Sequence, residues 1–173
     1  MAEELLGPKG KGFNGTAFEI CRPSFHNSSI PEMKFTVSHD DALAVHAVLG
    51  CDAESDWTYV VYQLAHETIH MLNPVTCSEV NYLEEGVAVA FSIYAQKKFG
   101  VSAQEPNPDN EADRKYACAY SLVKQLPDGA LESARRIRQK VGRLSDATAD
   151  DLKDLYPDLD PSIAEKLASK FNA

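Results

Sequence analysis

The sequence predicts an α+β fold, with a small N-terminal β-sheet, a mostly helical core and a C-terminal helical tail. Short segments rich in β-branched and aromatic residues lie early in the chain, within residues 15–37. From about residue 55 onward, apolar residues recur three or four positions apart, which is the period of a helix. The length of 173 residues fits one domain of ordinary size, so we expect residues 1–173 to form a single domain.

The N-terminal part of that domain is predicted to contain two strands and one short helix. Thr16–Cys21 and Met33–Val37 have the composition of strands, and a turn region rich in Pro, Ser and Asn separates them. Ser38 or Asp40 can cap a helix that runs to about Leu49. These strands would supply a sheet edge against which an extended substrate could lie.

Helix caps and helix breakers predict where the helices in the rest of the chain begin and end. Residues 1–14 are rich in Gly and Lys and are expected to be loose. Two central helices are expected within 55–99, and further helices within 111–173. The predicted helices run from Ser55 to Pro74, from Ser78 to about Phe99, from Glu111 to Leu126, from Ala130 to Val141 and, in the tail, after Ser145 and from Asp160-Pro161.

The charge of the chain restricts its partners. The formal net charge is −9 and the sequence pI is about 5.0. This acidic balance argues against nucleic acid and against an anionic membrane surface as partners. No apolar run is long enough to span a bilayer, and the N-terminal residues lack the apolar region of a secretory signal. The cysteines lie far apart, so we expect reduced, mostly buried thiols in a cytoplasmic protein: Cys21, Cys51, Cys77 and Cys118.

The segment QLAHETIHML carries the clearest chemical signal. His66 and His70 are four residues apart, so on a helix they lie on one face and can reach one metal ion. Glu67 can sit beside a metal-bound water and accept its proton without being a ligand. Two histidines on an exposed helix face are the alternative interpretation. Because the apolar stripe of this helix is set by other positions, we expect both histidines to face a cleft or solvent.

A second acidic feature strengthens the metal hypothesis. Glu84 and Glu85 form an acidic pair, followed by Gly86, within an otherwise apolar predicted helix. Buried carboxylates are costly unless they are paired or bind a metal. A zinc ion held by His66, His70 and one of these two acids would explain the pair.

HETIH followed by NYLEEGVA resembles the gluzincin metallopeptidases, the thermolysin and aminopeptidase N type. The resemblance covers about residues 55–99 and implies a zincin-like core that cleaves peptide bonds with Zn2+. It also implies that Glu85 is the third ligand, beside His66 and His70. This chain departs from the usual motif in having Tyr82 where Trp is common. Its linker between His70 and Glu85 is also shorter than in the large members.

Helical periodicity and the resemblance disagree about the third ligand. Periodicity places Glu84 closer to the apolar stripe and predicts that it is the more buried acid, whereas the resemblance favours Glu85. Small neighbours of Glu85 support the resemblance, since they would let its helix approach the His66–His70 helix closely. Gly86 would remove a side chain at the same place. Glu84 would then orient a ligand histidine.

Other candidate groups lie on later helices. The resemblance implies a Tyr or His that stabilises the oxyanion, and Tyr116 or Tyr120 could serve, although two tyrosines at the core edge are the simpler interpretation. The basic residues Arg135, Arg136 and Arg138 could hold a substrate carboxylate, or they could form a solvated helix face.

These observations lead to one principal hypothesis and two alternatives. The principal one is a zinc metallopeptidase that acts on a peptide or protein substrate, with Glu67 as the general base. One alternative is a non-catalytic, zinc-stabilised binding protein. The other is a zinc hydrolase that acts on a non-peptide bond, which would need the same water and the same base.

Overall fold

The computed structural model of the protein describes residues 1–11, 16–37, 43–76 and 78–171. The α+β fold class is confirmed, with strands in the N-terminal part and helices through the rest. The strands are β1 Phe18–Ile20, β2 Ser24–Phe25, β3 Glu32–Val37 and β4 Leu43–Leu49. The helices are α1 Ala2–Leu6, α2 Trp57–Leu72, α3 Tyr82–Lys98, α4 Arg114–Val123, α5 Ala130–Val141, α6 Ala149–Leu155 and α7 Pro161–Ala168. Short 3-10 turns occur at Cys51–Glu54 and Leu144–Asp146.

Strand β4 is the centre of the small mixed sheet. β1 and β2 both pair with it in parallel, β1 with its first residues and β2 with its last. β3 pairs with β4 in the antiparallel sense, in a register that places Lys34 opposite His46. Because β1, β2 and β3 all form their hydrogen bonds with β4, the sheet depends on this one strand.

The predicted helix ending at Leu49 is wrong over Leu43–Leu49, which forms β4. Most residues of β4 are buried, including neighbours such as Val48 and Leu49, whose side chains point to opposite faces of the sheet. A strand that is buried on both faces shows no apolar–polar alternation, so its sequence is easily mistaken for a buried helix. The proposed cap residues, Ser38 and Asp40, lie outside the described residues.

The chain divides into two compact units, and helix α3 contributes to both. The first unit comprises Met1–Pro8, Val75–Ala90 and Glu105–Ala173, and the second comprises Lys9–Pro74 and Phe91–Gln104. The core of the second unit is formed by one face of the sheet and residues of α2, including Val45, Leu49 and Met71. In the first unit, a hydrophobic cluster joins α3, α4 and the C-terminal segment: Tyr82, Ala119 and Phe171.

Helices α2 and α3 begin at identifiable caps. The Asp56 carboxylate accepts a hydrogen bond from the Thr58 N–H at 2.8 Å, which caps α2 close to the predicted start at Ser55. The start predicted for the next helix, Ser78, is wrong, because α3 begins at Tyr82. The side chain that caps it is that of Asn81, which accepts the Glu84 N–H at 2.9 Å.

The prediction for the N-terminal residues is wrong, whereas the predicted C-terminal helices are present. Residues 2–6 were expected to be loose, but they form α1, since Ala2 and Leu6 are buried. The tail helices are confirmed, with α7 starting at Pro161 behind its cap Asp160. α6 is capped by Thr148 rather than preceded directly by Ser145. Among the described residues, no helix has both the length and the apolar character needed to cross a bilayer.

Candidate metal centre

Helix α2 presents a column of three rings. The His66 and His70 rings lie 5.1 Å apart, centroid to centroid, at an interplanar angle of 63°. Tyr62, one turn earlier, stacks on His66 with centroids 6.3 Å apart. All three positions are four residues apart, so regular helix geometry is enough to align them. The stacking of Tyr62 on His66 was not predicted from the sequence, although the same spacing would have identified it.

The residues of the H-E-x-x-H motif are buried. His66 is 7% exposed, Glu67 4% and His70 8%. We had expected both histidines to face a cleft or solvent, and the expected exposure to solvent is not found. Burial on α2 therefore extends beyond its apolar stripe, since Val61 and Ile69 are buried as well.

Glu85 completes a group of three possible metal ligands. His66, His70 and Glu85 each offer one ligand atom, and these atoms all lie within 4.8 Å of one another. All three residues are buried. Because their ligand atoms are this close, the group could bind a metal ion. Within residues 1–11, 16–37, 43–76 and 78–171, this is the one such group of three or more His, Cys, Asp or Glu side chains.

The donor atoms of this group are of kinds that can bind a metal ion such as zinc. Imidazole nitrogen and carboxylate oxygen are both ordinary zinc donors, bound at about 2.0–2.2 Å. At those lengths the ligand atoms of a tetrahedral site are roughly 3.4 Å apart. The three ligand atoms lie within 4.8 Å of one another, so metal binding would have to draw any pair at the upper end of that range closer together.

Glu84 has a different environment from Glu85. Its carboxylate accepts a short hydrogen bond from the Ser145 hydroxyl, and it interacts electrostatically with Arg138. Glu84 is 3% exposed and Glu85 is 7% exposed, so periodicity correctly ranked Glu84 as the more buried acid. The more buried acid is nevertheless the one outside the metal-ligand group. A buried carboxylate can be satisfied by a hydroxyl and a guanidinium as well as by a metal.

Gly86 lies against helix α4. A Cβ atom on Gly86 would lie 2.4 Å from the Ala119 carbonyl oxygen and 2.7 Å from Cγ1 of Val123, both on α4. The atoms nearest to that Cβ therefore belong to α4 and not to the His66–His70 helix, and an effect of Gly86 on the approach of α3 to that helix stays a prediction. The missing side chain lets α3 and α4 pack backbone against backbone.

The two candidate oxyanion tyrosines lie on α4, in the first unit. The Tyr116 ring contacts the Phe171 ring at 5.1 Å between centroids. Lys124 Nζ lies 4.6 Å from the centre of the Tyr120 ring, and burial together with the Glu105 carboxylate raises the pKa of Tyr120. None of these contacts involves the metal-ligand group, and an oxyanion role for either tyrosine stays a prediction.

The basic stretch on α5 is a solvated face at Arg135 and Arg136 but not at Arg138. Arg138 is buried, and its guanidinium donates hydrogen bonds to the carbonyl oxygens of Leu6, Gly7 and Pro8. Arg135 does follow the expectation and pairs with an acid on the surface of its own helix. The local sequence could not predict that Arg138 is buried, because its hydrogen-bond acceptors are more than 100 residues away in the chain.

The described cysteines take no part in the candidate site. Cys21, Cys51 and Cys118 are free thiols, and Cys77 lies outside the described residues. Cys21 and Cys118 are exposed, which corrects the expectation of mostly buried thiols. Cys118 is exposed because it lies on the outer side of α4, next to the fully buried Ala119.

The chain was compared with protein-family models, curated proteins and solved structures, and none of them matches it. The resemblance to the gluzincins therefore stays a prediction, which rests on the HETIH and NYLEEGVA segments.

Proposed function

We propose that this protein is a zinc-dependent hydrolase, and specifically a metallopeptidase. Zn2+ would be held by the two imidazoles of His66 and His70 and by the carboxylate of Glu85. The single observation that carries the proposal is the approach of these three buried ligand atoms to within 4.8 Å of one another. The group joins residues of two helices, with fourteen residues between His70 and Glu85.

The composition of the group favours a catalytic site over a structural one. Structural zinc sites are usually closed by four protein ligands, often cysteines, whereas catalytic sites have three protein ligands and leave one position for water. Two histidines and one carboxylate are the ligand set of the second kind. When bound, zinc would act as a Lewis acid and lower the pKa of a bound water to about 7.

Glu67 is the residue that we assign to proton transfer. It follows His66 directly on α2 and is buried, so its carboxylate is shielded from bulk water. Glu67 would accept a proton from the water as the water oxygen attacks the substrate carbonyl carbon. It would then deliver that proton to the leaving nitrogen as the carbon–nitrogen bond breaks. A purely structural zinc site would need no such base.

A peptide is the preferred substrate because of the gluzincin resemblance. The proton transfer assigned to Glu67 would serve another carbonyl substrate equally well, so a hydrolase of a non-peptide bond is the second candidate. The two are separated by what the enzyme cleaves.

The test is hydrolysis of casein and of a mixed peptide library by the zinc-loaded full chain. We expect cleavage that a chelator abolishes and zinc restores. Glu67→Gln should retain zinc and lose cleavage, because Gln has nearly the same shape and cannot accept a proton at neutral pH. Glu132→Gln, on the surface of α5, is the matched control and should cleave as the parent does.

Two results would contradict the proposal. Cleavage by Glu67→Gln at the parental rate would exclude Glu67 as the base. A parent protein that binds zinc but cleaves neither casein nor the library would favour the non-peptide hydrolase or the non-catalytic alternative.

A further inference from the structure

The first turn of α3, which carries Glu85, is anchored through the side chain of Asn81. This residue is 0% exposed. Its Oδ1 accepts the Glu84 N–H at 2.9 Å and its Nδ2 donates to the Leu144 carbonyl oxygen at 2.9 Å. Asn81 thus caps α3 and, through the same amide group, ties the cap to the 3-10 turn Leu144–Asp146. One side chain fixes both the start of the helix and its position on that turn.

The next residue of the 3-10 turn makes a second tie to α3. The Ser145 hydroxyl donates to the Glu84 carboxylate, and both residues are buried. A hydrogen bond to an ionised carboxylate is stronger than one between neutral groups. Leu144 and Ser145 therefore hold two neighbouring points of α3, its cap and its first turn.

The C-terminal segment also holds the start of α3, through two backbone hydrogen bonds. The Tyr82 N–H donates to the Ser169 carbonyl oxygen at 3.1 Å, and the Phe171 N–H donates to the Val80 carbonyl oxygen at 2.9 Å. Asn81 lies between these two bonds and forms an isolated bridge with Lys170. The start of α3 is consequently fixed from several directions within the first unit.

We propose that Asn81 and Ser145 are positioning residues for Glu85, and that they set the metal affinity of the site. The inference rests on the proposed function, since it assigns Glu85 to zinc. Glu85 follows Glu84 directly, so any shift of the first turn moves both carboxylates together. Ser145 acts on Glu85 through Glu84, and Asn81 acts on it through the cap. Groups that orient a metal ligand typically change metal affinity by about 10–100-fold when they are removed.

The test is the zinc affinity of the folded, metal-free full chain, measured by competition with a chromophoric chelator. We expect Ser145→Ala to bind zinc about 10-fold more weakly than the parent. Ser145→Thr retains the hydroxyl and should restore the affinity to within about threefold. The control is Ser133→Ala, because Ser133 is also a fully buried serine of the first unit and lies on α5. Its loss should lower stability without weakening zinc binding.

A second variant keeps the test decisive if Ser145→Ala fails to fold. Asn81→Ser retains an oxygen that can cap α3 but removes the donor to the Leu144 carbonyl oxygen. We expect it to fold and to bind zinc roughly 5–10-fold more weakly than the parent.

The outcomes separate this inference from the proposed function. A parent protein that binds no zinc overturns the proposed function and the inference with it. A parent that binds zinc, with Ser145→Ala and Asn81→Ser binding it as tightly as Ser133→Ala does, overturns the inference alone. In that case the two residues only stabilise the fold.

Discussion

The rings of His66 and His70 lie 5.1 Å apart on consecutive turns of α2, edge to face rather than stacked. This relationship comes from the spacing of the two residues and from the regularity of a 16-residue helix. The proposed third ligand, Glu85, lies on another helix, so its position depends on how α3 is held. The two halves of the candidate site therefore have different structural origins, and different substitutions should perturb them.

Zinc should stabilise the folded chain measurably. A ligand that binds only the folded state raises the free energy of unfolding by about 2.7 kcal/mol at 100 times its dissociation constant. For a chain of this size that corresponds to a rise in melting temperature of roughly 5–10 °C. We expect one zinc ion per chain by metal analysis and reversal of the thermal shift by a chelator.

His70→Ala provides the control for this measurement. It removes one ligand and should abolish most of the zinc-dependent shift in melting temperature. An equal shift in the parent and in His70→Ala would mean that zinc binds elsewhere, for example at the exposed thiols.

Glu85→Gln and Glu84→Gln should differ sharply in zinc affinity. Glu85→Gln removes the charged ligand oxygen, so we expect a loss of at least about 100-fold, beyond the range typical of groups that only orient a ligand. Glu84→Gln retains an amide oxygen that can accept the Ser145 hydrogen bond, so zinc affinity should change by less than about threefold. The measurement is chelator competition on both variants. The reverse order would show that periodicity identified the ligand and that the motif alignment is wrong by one residue.

The sequence predicted the helices better than the sheet, for a physical reason. α5 and α7 were placed closely, because their ends are marked by Gly and by an Asp-Pro pair. β4 was assigned to a helix, because a strand buried on both faces has no period-two pattern. Its identity depends on pairing with β1, β2 and β3, which local sequence does not reveal.

The candidate site divides in the same way. His66 and His70 could be paired from their spacing alone. Glu85 needed a family resemblance, because no local rule joins α2 to a residue on another helix. Ser145 and Arg138 were assigned other roles, since their partners lie on distant segments of the chain.

Gly86→Ala should destabilise the protein even though it improves helix propensity. Replacing Gly by Ala inside a helix is favourable by about 1 kcal/mol when space allows. Here the new Cβ would lie 2.4 Å from the Ala119 carbonyl oxygen, a backbone atom that can move only if α4 moves. We expect a net loss of about 2 kcal/mol in urea unfolding. Adding Val123→Ala relieves only the side-chain contact and should restore less than half of the loss. If the urea midpoint of Gly86→Ala equals or exceeds that of the parent, α4 can move to accommodate the new Cβ without a loss of stability.

The last prediction concerns Arg138, whose guanidinium closes the end of α1. Nη1 donates to the carbonyl oxygens of Leu6 and Gly7 at 2.6 and 3.1 Å, and Nη2 donates to that of Pro8 at 2.9 Å. The last carbonyl groups of a helix have no partner within the helix, so this one side chain satisfies groups that α1 cannot. Burial lowers the pKa of Arg138, while the charges of Glu84 and Glu3 raise it, and the group remains a cation.

Removing this guanidinium should release the N-terminal segment before it affects the rest of the fold. Arg138→Met preserves most of the apolar stem and deletes all three hydrogen bonds, for an expected loss of about 2–3 kcal/mol. Arg138→Lys should recover less than half of that, because a single ammonium lacks the planar fork that reaches three carbonyls. Hydrogen exchange is the deciding measurement: amides of residues 2–8 should exchange faster in Arg138→Met than in the parent. Arg135→Met changes a half-exposed arginine of the same helix and should leave that exchange unaltered. If residues 2–8 keep their protection in Arg138→Met, the apolar contacts of Ala2 and Leu6 hold α1 in place without the arginine.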